Sequence, residues 1–219
     1  MAEVRGEAQR LVLRHAPAEV RDALAVLFAL DERLGDIVRS TREPLVGQMR
    51  LTWWRDALSA LDQRRPAPAE PVLVEVQRLL LSRGVSGASL APMAEGWMMI
   101  LHDGYVRDGS LANYAALRGG TLFAAAARML GAADVESAAL REAGRGWALG
   151  DLAAHISSTT DAETIRKDAD VALAYAFAAR WSKILRPIGL LAVLTMLDAD
   201  TVSAYVKIRR VLSFRVLGR

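Results

Sequence analysis

A chain of 219 residues, 53% of them hydrophobic, is long enough for one sizeable core and requires no second, so residues 1–219 are read as a single domain. Its 28 basic and 25 acidic residues leave a net charge of only +3, which argues against a dedicated nucleic-acid binder, and the pI near 9.6 reflects arginine that does not titrate. With no cysteine, disulfides, thiolate catalysis and cysteine-based metal sites are excluded.

Alternation of apolar and polar residues is never sustained, whereas alanine, leucine and arginine recur at helical spacing, so an all-α bundle is expected. A first helix is predicted over 3–15, and Pro17 opens a second that reaches about residue 41. Glu43-Pro44 starts a third helix ending near residue 63, before a proline-rich surface connection over 64–71. Further helices are expected over 72–83, 90–106 and 111–130, the last stopped by Gly131 and bent at Gly119-Gly120. The spacing then predicts helices over 135–158, 163–197 and 201–217, with Pro187 kinking or dividing the second of these. The most apolar run, 187–197, is too short to span a bilayer, and the charged N-terminus lacks the apolar stretch of a secretory signal, so the expected location is the cytoplasm.

In the second helix Val20, Leu24, Leu27, Leu34 and Val38 form the core-facing row, and Asp31 falls in it, so an acid is expected to face inward. Glu32 and Asp36 lie one turn apart on an adjacent row. Asp31, Glu32 and Asp36 could together hold Mg²⁺, a hard ion that prefers oxygen ligands; the other reading pairs Glu32 and Asp36 with Arg33 and Arg39 on a solvated face. Arg50 sits between Val46 and Trp53 on one helical row, which predicts a guanidinium directed along the interior and in need of a partner: Asp31, or the phosphate of a ligand. Trp53 and Trp54 beside it are read as core packing or as a ligand platform. His15 and His102 lack ligand-spaced neighbours and are given no role.

The segment 27–58, with its acidic helix followed by Arg50-Leu51-Thr52-Trp53-Trp54-Arg55, resembles the N-terminal half of squalene/phytoene synthase-family proteins. Tyr114-Ala115-Ala116-Leu117-Arg118-Gly119-Gly120-Thr121-Leu122-Phe123 is similar to the family's central helix, and Leu185-Arg186-Pro187 to its late arginine-proline segment. The resemblance implies an isoprenoid synthase fold in which two acid-rich helices face each other across a cavity, and magnesium bridges them to the diphosphates of two prenyl substrates joined head to head. It makes Asp31, Glu32 and Asp36 the first cluster, with glutamate departing from the family's aspartates. Asp151, with His155 one turn on, stands for the second, and Arg50, Trp53 and Trp54 stand for substrate contacts.

Imidazole is a poor magnesium ligand, Ser157-Ser158-Thr159-Thr160-Asp161 replaces further acids, and the chain is shorter than typical catalytic members. The leading expectation is therefore a non-catalytic or weakly active relative that binds an isoprenoid or lipid-like ligand, or acts with a protein partner in the manner of the family's respiratory-complex assembly factors. The alternative is an active Mg²⁺-dependent transferase condensing farnesyl or geranylgeranyl diphosphate. The run from Lys207 to Arg219 mixes basic and apolar residues, and two readings stand: a last helix docked on the bundle, or a peripheral contact with the inner membrane.

Overall fold

Helix-favouring residues at 3.6-residue spacing turn nearly the whole chain into rods that bury one stripe each. The computed structural model describes residues 2–63, 65–135, 137–178, 180–197 and 204–218, with side chains described outside 2–5 and 204–208; the expected start of the last helix at residue 201 lies outside them. Among the described residues every regular element is helical, as the isoprenoid synthase fold requires.

Three long rods open the chain: α1 (Ala2–His15), α2 (Ala18–Ser40) and α3 (Pro44–Ala60). Pro17 and Glu43 stand at the N-caps of α2 and α3, where a missing or unsatisfied N–H costs least. The row expected to face the core does so: Val20, Leu24, Leu27 and Leu34 are buried, each side chain stabilising the fold by roughly 1.5–3 kcal/mol. After the proline-rich connection, α4 (Pro71–Glu75) is capped by Glu70, whose carboxylate accepts from the backbone N–H groups of Val72 and Leu73. It winds on through a wide turn at Val76–Leu80 to Gly84, whose left-handed φ of 77° ends it.

Short helices α5 (Gly87–Leu90) and α6 (Pro92–Met98) follow. The helix expected to reach residue 106 stops at Met98, and turns with Gly104 and Gly109 at positive φ carry the chain onward. The central helix is α7 (Ser110–Tyr114) joined to α8 (Thr121–Met129) through a π segment, Ala115–Gly120. It packs most closely on α9 (Ala138–Ala153), and glycine makes this possible: a Cβ on Gly119 would collide with the carbonyl of Gly144, and one on Gly144 with the carbonyl of Gly119.

The long helix expected over 163–197 is two. α10 (Thr159–Ala176) starts at a Ser158 cap, and α11 (Arg186–Leu197) begins after the tight turn Lys183–Leu185. Pro187 thus sits in the first turn of α11, where it breaks no hydrogen bond. The last helix, α12 (Ala204–Leu217), docks on α11 through Phe214.

Candidate functional site

The inward row of α2 brings Asp31 to the centre of the bundle, and α9 brings Asp151 toward it from the other side; both are buried. Between them stands Arg118, which has no accessible surface at all. Its Nε donates to Asp31 Oδ1 at 2.8 Å and its Nη2 to Asp31 Oδ2 at 2.7 Å, a bidentate pair, while Nη1 donates to Asp151 Oδ2 at 2.7 Å and to the Tyr114 hydroxyl. Trp97 Nε1 adds a 3.0 Å bond to Asp31 Oδ1. The guanidinium carbon lies 4.1 Å from the Trp97 ring centroid and 4.6 Å from that of Trp147, so indoles flank the cation.

Burial alone would lower the pKa of Arg118, but the carboxylates of Asp31 and Asp151 outweigh it and hold the guanidinium well above its ordinary value. Burial pushes the Tyr114 hydroxyl up, well beyond the usual phenol range. The constellation is therefore a permanently charged arginine between two carboxylates. Removing one member of such a buried network leaves the others uncompensated, at a cost of about 3–5 kcal/mol.

Trp147 and Asp151 also form part of the wall of a half-open cavity of about 1100 Å³ bordered by α1, α9, α10, α11 and the start of α2. Leu11, Leu13, Leu191, Leu194 and Leu197 supply apolar lining; Arg10, Arg14, Arg21 and Arg166 supply positive charge, with Glu7 the other acid besides Asp151. Arg21 is engaged, donating to the carbonyls of Leu13 and Ala16 across the α1–α2 turn. His155 turns its Nδ1 to the carbonyl of Asp151 at 2.6 Å, and 3.8 Å separates that nitrogen from Asp151 Oδ1.

The other expected site residues lie elsewhere. Glu32 and Asp36 turn away from Asp31 and meet Arg39 on the exposed side of α2, at 2.7 and 2.5 Å, as the solvated-face reading has it. Arg50 does not run along the interior: it is exposed and donates to Thr41 Oγ1, and the buried arginine that Asp31 requires is Arg118. The expectation failed because Arg50 shares a row with Val46 and Trp53, both of which are themselves solvent-exposed. Trp54 is buried, and Arg50, Trp53 and Trp54 border a second cavity of about 430 Å³ with Arg33, Met49 and Glu70, sharing no residue with the first.

Residues 6–179 match the family model described as squalene/phytoene synthase. The chain belongs to the squalene/phytoene synthase family. No curated protein and no solved structure matches it.

For a squalene/phytoene synthase-family protein, the facing acids invite a test of magnesium, which needs several oxygen ligands near 2.1 Å. Both Asp31 oxygens and Asp151 Oδ2 already accept from nitrogen donors, and Glu32 and Asp36 are committed to Arg39. Among the described residues, no group of three or more His, Asp or Glu side chains is gathered to hold a metal ion. The four carboxylates of the expected set do not fit magnesium in this arrangement, because a guanidinium stands where a shared cation would. Arg118, the centre of this buried network, has no counterpart among the residues singled out from the motifs. Its signal was an arginine inside the otherwise apolar run from Tyr114 to Phe123, four residues after a tyrosine and directly before two glycines.

Proposed function

We propose that this squalene/phytoene synthase-family protein is non-catalytic or weakly active and holds an isoprenoid or other lipid-like molecule bearing an anionic end. The supporting observation is that Arg118 engages both oxygens of Asp31 and one of Asp151, and that Asp151 also lines a large cavity with leucine lining and arginine charge. Ionising a prenyl diphosphate creates a carbocation beside a strongly anionic leaving group, and clustered metal-bearing carboxylates supply the stabilisation that makes this fast. In this chain those carboxylates instead neutralise an internal cation. What remains is binding: apolar walls take a hydrocarbon chain, and Arg10, Arg14 and Arg166 offer bidentate donors to a phosphate or carboxylate head.

The test is a thermal melt of the purified chain with geranylgeranyl diphosphate, with and without Mg²⁺, alongside an assay for released pyrophosphate. The expected result is a raised Tm that does not require Mg²⁺, no pyrophosphate, and a smaller shift in Ala154→Phe, which places a ring in the cavity. Magnesium-dependent pyrophosphate release abolished by Asp36→Ala would restore the transferase reading. No shift with this or any other polyprenyl or acyl anion would leave a role in protein assembly.

A further inference from the structure

The sequence has no acidic residue in 180–197 or 204–218, yet these stretches carry Arg180, Lys183, Arg186, Lys207, Arg209, Arg210 and Arg215. Asp198 and Asp200 lie between the two stretches, so residues 180–218 carry seven cations and two acids, an excess of five in a chain whose net charge is +3, which concentrates positive charge in one part of the sequence.

The fold brings the two stretches side by side. Phe214 is buried, its ring 5.9 Å from that of Trp181 and 5.4 Å from that of Phe177. Trp181 N donates to Gly218 O at 2.8 Å, Arg180 Nε to Leu217 O at 2.6 Å, and Arg186 Nη1 to the carbonyls of Arg215 and Val216. The C-terminal carbonyls of α12 are thus satisfied by arginines from the preceding segment, which fixes 180–186 against the end of the helix.

Docking consumes only one face of α12. Leu212 and Val216, one turn apart, are 51% and 69% exposed, and Ile184 beside the helix end is 50% exposed. Arg209, three residues before Leu212, shares their side, and Arg215 and Lys183 are exposed as well. Branched aliphatic side chains standing in water among exposed cations have no use in reading a nucleic acid, which calls for aromatic or polar contacts between the charges. They match a bilayer interface, where aliphatics enter the acyl boundary and arginine and lysine meet lipid phosphates. Among the described residues no helix is long and apolar enough to cross a membrane.

We propose that the outer face of α12, together with the segment 180–186, is a docking surface for an anionic lipid bilayer. It shares no residue with the lipid-sized cavity, so it stands independently of what that cavity holds.

The experiment is flotation of the full chain with phosphatidylcholine vesicles, with and without phosphatidylglycerol, at low and high salt. The chain should float with the anionic vesicles, less so at high salt. The triple variant Lys183→Glu, Arg209→Glu, Arg215→Glu should lower the partition coefficient roughly tenfold or more. Leu212→Ser with Val216→Ser should weaken it severalfold while leaving the salt dependence, and helical circular dichroism verifies that each variant is folded. Equal recovery on neutral and anionic vesicles, or full binding by both variants, overturns the proposal. So does retention on duplex DNA that the charge variant loses while vesicles are ignored.

Discussion

Two arginines of this protein each bridge two carboxylates, and their surroundings make them different objects. Arg39 joins Glu32 and Asp36 on the outside of α2, with more than a third of each side chain in water. Arg118 joins Asp31 and Asp151 with essentially none. In water the pair gains little, because solvent already serves both charges; in the core each ion has lost its hydration and depends on the others. The lesson concerns helix rows more than charges: Asp31 and Glu32 are adjacent in sequence, and the 100° turn between them separates a structural centre from an ordinary surface.

The sharpest way to break this contrast is Arg118→Met, which strands two buried carboxylates and should cost about 3–5 kcal/mol in urea unfolding, with Asp31→Asn plus Asp151→Asn in the same chain recovering part of the loss. Gly144→Ala attacks the support of the network. Its methyl group meets the Gly119 carbonyl and must push α9 away from the central helix, so a loss of about 1–3 kcal/mol is expected in the same measurement.

Alkali should reveal Tyr114. Its folded pKa lies above its unfolded value, so the stability it contributes is fully present below about pH 10 and is lost as pH rises toward the folded pKa. Tyr114→Phe should therefore flatten the decline in unfolding free energy above about pH 10. The smallest effect belongs to Arg39→Ala, expected to change stability by less than about 1 kcal/mol; a loss matching that of Arg118→Met would erase the distinction drawn here.

Much of the architecture was legible because helix periodicity is local. The row through Leu24, Leu27 and Leu34 announced the buried face of α2 and with it the inward Asp31, and Gly131 marks a chain reversal with φ of 83° beyond α8. The break between α10 and α11 precedes Pro187 instead of falling at it, since proline signals a helix boundary without saying whether it stands before or after the residue. Arg50 was misplaced because its row was judged apolar, and composition along a row does not reveal whether another helix covers it. Leu45, Val46, Met49 and Trp53 are all exposed. Arg118 required knowledge of three partners distant in sequence, at Asp31, Trp97 and Asp151, which no spacing rule joins. The family resemblance, carried in part by the central segment from Tyr114 to Phe123, marks the helix that bears Arg118 without assigning that cation a role.

The indoles that clamp Arg118 give the protein an optical handle of its own. Trp97 and Trp147 are sequestered from solvent whereas Trp53 is 45% exposed, so their emission belongs at shorter wavelength. Trp147 touches the central cation on one side and the leucine-lined hollow on the other. Its fluorescence should respond when that hollow fills, and a guest could be followed by light without attaching any dye.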